Sequence, residues 1–584
     1  MRLPSVVSAA VLAVSSCHSI AQDLGGAAQI ASRASISREL ASPPAKAQSG
    51  IQLGRPARET LRSLALLGKV WGFLKYHHPD AISGRLNWDR ELLDILPRVI
   101  ASQSHDETQS ILSRWIAGLS KIPACLACRA LDPRGLQSAP RLRWLDNVRL
   151  LGKPLGDQLK MVYLNRSGGA QHYLSLQPGV GNPVFEAEES YPDLQYPDSG
   201  YQILAVFRFW NIVEYWYPYR DLIGDEWDEV LLQALEDAAP MQDRESFQRA
   251  LFALIARVRD GHANLWSSLR VRPPVGDCQL PVNLRWIETN LTVESYASGS
   301  GREAVQLGEI IEAIDGQPIA QFTAYLRPYY VGSNDAARAA DIASSIGRGD
   351  CGTARLTVKR PGGSMAVSVE RQPVGNLDTS DSRRNDRSGE VIQRLDEQTI
   401  YLRISLAKPD DVSRLFEQAM PGDRLVVDLR GYPASAVAHA IAASLISEPA
   451  PFVRYTHVDP SNPGAIYWSA SHAIHPGTEK FDGKVAILVD ESTMSSGEFT
   501  AMALQASSKT ITVGSQTAGA DGNISAIPLP GGFMAAISGI GVYYPDGEPT
   551  QRVGVKIDKV CSPQIEALRS GADPVLECAL RSFD

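Results

Sequence analysis

The sequence predicts an α+β multidomain protein: a duplicated helical N-terminal region, a small β module, and a layered α/β core. Three observations carry this. A helical segment occurs twice at one constant offset, short strand signals crowd between Pro281 and Arg371, and strands alternate with helices after about residue 391. At 584 residues the chain is too long for one core; at roughly 150 residues per domain it should hold three or four. Apolar residues make up 44% and charged residues 21%, which excludes overall disorder. The net charge of -8, without a long basic run, argues against nucleic acid as a partner.

Residues 1–21 have the architecture of a signal peptide: Arg2, an apolar stretch from Val6 to Val14, then small residues. Cleavage after Ala21 is the simpler reading. Val14-Ser15-Ser16-Cys17 also loosely resembles a bacterial lipoprotein box, in which Cys17 would carry a lipid anchor. Export to the periplasm or the exterior, free or tethered, is therefore expected, with no membrane span later in the chain. Residues 22–58, rich in Ala, Ser and Pro, read as a flexible tether.

The repeat follows. KVWGFLKYHHPDAISGRLNWDRELL from Lys69 aligns without gaps with RFWNIVEYWYPYRDLIGDEWDEVLL from Arg208. Trp71 matches Trp210, Tyr76 matches Tyr215, and Trp88-Asp89 match Trp227-Asp228. Both copies read as an amphipathic helix, a turn containing Pro and Gly, and a second helix. Register persists through Ile111 to Leu119 and Ala250 to Val258. Only the second copy then ends in Asp260-Gly261-His262, where the first has Lys121-Ile122-Pro123. We place the first copy and a small β region, read from MVYL and HYLSL, in residues 59–200, and the second copy in 201–280.

Residues 281–375 form the β module, the polar stretch 376–390 is a linker, and 391–584 hold the α/β core and tail. Beyond Cys17 the cysteines are Cys125, Cys128, Cys278, Cys351, Cys561 and Cys578. An even set in an oxidising compartment favours disulfides. From position alone, Cys561 would pair with Cys578 and Cys278 with Cys351. Cys125-Leu126-Ala127-Cys128 lacks the second half of a zinc cage and reads as a disulfide.

Within the core, the strand AILV runs through Thr493-Met494-Ser495-Ser496-Gly497-Glu498 straight into a helix. A serine at such a junction sits near unpaired N–H groups at the positive end of the helix, although Ser is also a preferred helix cap. Further motifs are Asp428-Leu429-Arg430-Gly431, Gly514-Ser515-Gln516-Thr517-Ala518-Gly519, Tyr544-Pro545-Asp546-Gly547 and Gly554-Val555. In their order and spacing the chain resembles the C-terminal processing (tail-specific) serine proteases, in the branch related to the tricorn core protease and the retinoid-binding repeat proteins. Leu307 to Ile319 resembles part of a PDZ domain, which implies recognition of a polypeptide end.

The resemblance implies a ClpP/crotonase-like protease core with Ser495 as nucleophile. Ala520 stands where many relatives have the lysine base, so a Ser-Lys dyad is excluded there. His262 occupies the place of the tricorn-type base, and imidazole suits proton transfer near neutral pH. For the group orienting the imidazole we take Gln551, with Asp260, Glu498, Asp521 and Glu548 as carboxylate alternatives. The oxyanion donors expected are the N–H groups of Ser496 and Ala434. No metal or organic cofactor is implied, and the expected partner is a polypeptide substrate. The expected function is an exported serine endopeptidase acting through an acyl-enzyme on C-terminal or unstructured segments. The alternative is a silent scaffold that binds peptides or hydrophobic ligands; an acyl-CoA enzyme of crotonase type ranks behind both.

Overall fold

The computed structural model describes residues 48–125, 128, 131–166, 170–224, 226–298, 301–360, 362–377 and 385–584. The leader, Cys17, most of the tether and the middle of the polar linker lie outside the described residues.

The first copy consists of helices α1 (Arg58–His77), α2 (Trp88–Ile100) and α3 (His105–Gly118). Side chains at their starts take up free amide groups: Asn87 accepts from Arg90 N at 2.9 Å and Ser104 from Glu107 N at 3.2 Å. Helix α4 (Val148–Leu164) follows, and it corrects the sequence reading of MVYL as a strand. The span is broken at Gly152 (φ +64°), and beyond the break Leu155, Leu159 and Val162 are buried at helical spacing, so the helical period governs, not the local alternation. HYLSL contributes only Ser175–Leu176, paired with Pro183–Val184. The second copy is α5 (Ser199–Trp216), α6 (Trp227–Ala238) and α7 (Arg244–Ala256).

The two copies repeat their internal lock and face each other about a local twofold. In the first, Trp71 Nε1 donates to Trp88 O and Trp88 Nε1 to Trp71 O, each at 3.0 Å. In the second, Trp210 and Trp227 make the same reciprocal bonds at 2.7 and 3.2 Å. Between the copies, Lys69 pairs with Asp228 at 2.7 Å while its counterpart Arg208 pairs with Asp89 at 2.6 Å. Helices α1 and α5 approach closely because Gly68 lies against Phe207 and Gly72 against Asn211, its own counterpart. A Cβ on Gly72 would stand 1.8 Å from Asn211 Oδ1.

The β module holds β1 (Val282–Ile287), β2 (Asn290–Tyr296), β3 (Ile310–Ile314), β4 (Gly352–Arg360) and β5 (Gly363–Pro373), with helices α8 (Ile319–Leu326) and α9 (Asp335–Ser345). Its strands run in the order β5-β4-β3-β2-β1, and short pairs at Cys278–Gln279 and Arg348–Gly349 extend the β5 edge. The Cys278–Cys351 disulfide joins that edge to the start of β4.

The core sheet is parallel through β6 (Thr399–Arg403), β7 (Arg424–Asp428), β10 (Val485–Val489) and β11 (Thr510–Gly514), crossed over by α10 (Pro409–Gln418), α11 (Ala438–Leu445) and α12 (Ser496–Gln505). Both faces are covered, which explains the unbroken apolar runs. Ile400, Leu402 and Val427 face one apolar cluster, and Tyr401, Val426 and Leu488 face the other, closed by α13 (Pro574–Leu580). The Cys561–Cys578 disulfide ties α13 to the sheet, and Cys125–Cys128 closes a short loop. Two hairpins complete the core: β8 (Ala450–Val458) with β9 (Ile466–Ile474), and β12 (Ile524–Leu529) with β13 (Phe533–Ser538). The second positions the site. Its strand β13 pairs antiparallel with Asn264–Leu265, just beyond the second helical copy, and its Ile527, Leu529, Phe533 and Ile537 share the helical copies' apolar core.

Candidate active site

Ser495 sits between the loop that follows β10 and the first turn of α12, with φ +53° and ψ −116°. A side-chain-bearing residue in this region is strained by roughly 1–3 kcal/mol and needs its surroundings to hold it. Those surroundings are specific. Ser495 N–H donates to Ala520 O at 2.8 Å, Thr493 Oγ1 donates to Leu429 O at 2.8 Å, and Ser492 Oγ donates to Arg430 O at 2.8 Å. The Asp428-Leu429-Arg430-Gly431 motif is itself rigid: the buried Asp428 carboxylate takes Arg430 Nη2 at 2.7 Å and Tyr401 OH at 2.7 Å. The elbow thus hangs from the ends of two neighbouring parallel strands, where ligands bind in sheets of this kind.

Glu498, one turn into α12, is fully buried and accepts from Gly519 N at 2.8 Å, Ala520 N at 2.9 Å and Thr517 Oγ1. Burial pushes its carboxyl up to about 7 in spite of these donors. It fixes the 517–520 loop that receives Ser495 N–H. Asn334, at the start of α9, donates to Thr517 O at 2.7 Å and Ala518 O at 3.1 Å, tying the β module to the same loop.

Gly261 brings His262 to this place. A Cβ on Gly261 would lie 2.9 Å from Ala520 Cβ and 3.5 Å from Met494 Cε, the residue before Ser495. Gly261 N donates to Ser333 Oγ at 2.7 Å. The imidazole is held through a chain of contacts. His262 Nδ1 lies 3.0 Å from Ser538 Oγ, and Ser538 Oγ donates to Asp260 Oδ1 at 3.0 Å. Asp260 also accepts from Ser538 N at 2.7 Å and from His262 N at 3.1 Å. A hydroxyl has one proton; once it is given to Asp260, Ser538 Oγ can only accept from His262 Nδ1–H. The Nε2 lone pair is then free to receive a proton. Burial lowers the imidazole from its ordinary 6.5 and Asp260 opposes this, so neutral imidazole is favoured near pH 7. No hydrogen bond joins Ser495 Oγ directly to His262 in this structure.

The other expected groups lie as follows. Gln551 is buried but stands one step away from the ring: its Nε2 is 3.4 Å from Asp260 Oδ1 and 3.3 Å from Ser333 Oγ. Among the carboxylates, Asp260 alone is linked to the imidazole. Asp521 accepts only from Gly522 N, and burial raises its carboxyl well above the usual range. Glu548 is exposed and pairs with Lys556 at 3.2 Å. Ser496 N–H donates to no acceptor among the described residues. Ala434 needs correction as an oxyanion donor, because its N–H is already given to Ile404 O at 3.2 Å. Ser538 and Ser333 escaped the sequence reading altogether; neither lies in a motif. Among the described residues no group of three His, Cys, Asp or Glu side chains could hold a metal ion, and no helix is long and apolar enough to cross a membrane.

No curated protein matches the chain by sequence. Among solved structures it is similar to mature CPAF complexed with lactacystin, at 13% identity over 66% of this chain and 98% of that one, with a TM-score of 0.51. A photosystem II D1 C-terminal processing protease matches over 65% of this chain and 96% of that one at 16% identity, with a TM-score of 0.36. Residues 398–561, from the start of β6 to Cys561, match the model of peptidase family S41. The likeness to peptidase family S41 is carried by this α/β domain.

Proposed function

We propose that the chain is an exported serine endopeptidase that cleaves polypeptides in C-terminal or unstructured segments. Ser495 Oγ attacks the scissile carbonyl carbon and its proton passes to His262 Nε2. The carbonyl oxygen, now negative, lies against Ser496 N–H. His262 returns the proton to the leaving amine, and water then releases the acyl group by the same route. Asp260, through Ser538, holds the imidazole in the tautomer that exposes Nε2 and stabilises the imidazolium as it forms. Gln551 acts on Asp260.

The observation that carries this reading is the pairing of a strained Ser495 with an imidazole whose neighbouring residue, Gly261, packs on Ala520, the acceptor of Ser495 N–H. Catalytic hydrogen bonds in unliganded enzymes are often long and tighten when substrate binds. The tie from Ser333 and Asn334 supports delivery of a peptide end by the β module, which touches both Gly261 and the 517–518 loop. Incubation with reduced, alkylated α-lactalbumin, followed by mass spectrometry, tests the proposal. Cleavage by wild type and none by Ser495→Ala is expected; binding without cleavage by both would leave a peptide-holding scaffold.

A further inference from the structure

The small sheet that carries Ser538 has two unlike faces. Phe533, Ala535 and Ile537 of β13, with Ile527 and Leu529 of β12, turn into the apolar core of the helical copies. Alternation gives Met534, Ala536 and Ser538 to the other face, and the register sets Pro528 opposite Met534 and Ala526 opposite Ala536. Leu265 pairs with Ala535 and Asn264 with Ala536, so the same alternation puts Trp266 on the side of Met534. Met534 N donates to Ser267 Oγ at 2.9 Å, which holds the two chain segments together there.

That second face starts at the candidate site and runs out into solvent. At its inner end Ser538 Oγ is 3.0 Å from His262 Nδ1, and Trp266 Nε1 donates to His262 O at 3.4 Å. At its outer end Trp266 is 44% and Met534 37% exposed, with Ala526 exposed and Pro528 half-buried. Neither β12, β13 nor Asn264–Trp266 contains a charged residue. Ala526 and Ala536 give the strip a low floor between its larger side chains. From Ser538 to Met534 it is about 13 Å long, the span of four extended residues, and its three chain segments make it about 10 Å wide.

We infer that this strip binds an extended polypeptide segment with apolar side chains and leads it to Ser495; the choice of a polypeptide rests on the peptidase reading above. Exposed apolar side chains grouped beside a reactive site mark where an apolar ligand lies. The strip is far smaller than the roughly 800 Å² that each partner of a stable dimer buries, whereas a single extended chain fits its length. A flexible thioether beside an indole adapts to side chains of several shapes, so the strip selects apolar character and not one residue type. A charged side chain laid there would lose water and gain no partner.

Fluorescence anisotropy of the whole protein carrying Ser495→Ala tests the inference without requiring cleavage. The probe is a fluorescein-labelled decapeptide with Leu-Val-Phe-Leu at the centre of a Gly/Ser background, amidated so that no end carboxylate contributes; its counterpart has Asn-Gln-Ser-Asn at the centre. The apolar peptide should bind at least tenfold more tightly than the polar one, and Ala526→Glu should weaken it at least tenfold. Should Ala526→Glu fail to fold, Met534→Asp decides by the same criterion. Equal binding of the two peptides, no binding of the apolar one, or undiminished binding by the folded variant would overturn the assignment. If the contrast is found but fluorophosphonate fails to label Ser495 in wild type, the strip stands as a peptide-docking face and the peptidase reading alone falls.

Discussion

In the first helical copy the chain leaves α3 into Lys121-Ile122-Pro123; in the second it leaves α7 into Asp260-Gly261-His262. Up to that point both use the same reciprocal tryptophan bonds and the same crossed ion pairs. The comparison separates what a helical unit needs in order to fold from what it carries for chemistry. Packing is satisfied twice, and the proposed site is built once, on the turn where the copies diverge.

The strongest test exchanges the divergent turn. His262→Ala should lower kcat/KM by about 10⁴-fold or more, as loss of a base that acts in unit with its nucleophile does. Pro123→Ala, at the aligned position, should leave activity within about twofold. Equal losses would mean that the turn acts through stability. A second contrast uses the opposite charges at the aligned positions Lys75 and Glu214. Lys75→Met removes one partner from a fully buried ion cluster, which should cost about 3–5 kcal/mol in urea unfolding. Glu214→Gln, at the matching position, should cost less than about 0.5 kcal/mol, since the carboxylate accepts no hydrogen bond there.

Asp260→Asn tests the link to the imidazole. An amide in place of the carboxylate no longer fixes the Nδ1–H tautomer, so kcat should fall on the order of 10²-fold or more, with KM little changed. Lys121→Ala, its counterpart, should be silent. If Asp260→Asn affected only stability and spared kcat, Gln551 would again stand as the orienting group.

Two buried histidines sharpen the comparison by pH. His77 in the first copy bonds only Phe73 O, and burial lowers it to about 3. Its folded pKa lies below the unfolded 6.5, so its stabilisation is complete above pH 6.5 and is lost as pH falls toward 3. The slope is about 1.4 kcal/mol per pH unit. His77→Phe should flatten that slope in acid unfolding curves. His262 is also lowered but has Asp260 beside it, so the acid limb of kcat/KM should fall below pH 6.5 and move in Asp260→Asn. An unmoved limb would assign it to another group.

Much of this architecture could be read from local sequence. The repeat, the parallel strands and the Ser495 junction each depend on contiguous residues and their period. What escaped depends on pairing across long separations. Ser538 lies at the end of an ordinary strand, FMAAIS, and reaches His262 only because β13 pairs with Asn264–Leu265. Ala434 looked available because its sequence neighbours permit it, yet Ile404 O takes its N–H. The α4 segment MVYL misled for a related reason: four residues fit either period, and only the longer stretch that begins beyond Gly152 decides.

Fluorophosphonate labelling, with the adduct mapped by mass spectrometry, tests the central claim most directly. The account predicts modification at Ser495 in wild type, slowed at least about 10²-fold in His262→Ala and absent in Ser495→Ala. Labelling of Ser495 at the same rate in wild type and His262→Ala would contradict it, because the hydroxyl would then owe its reactivity to some other base.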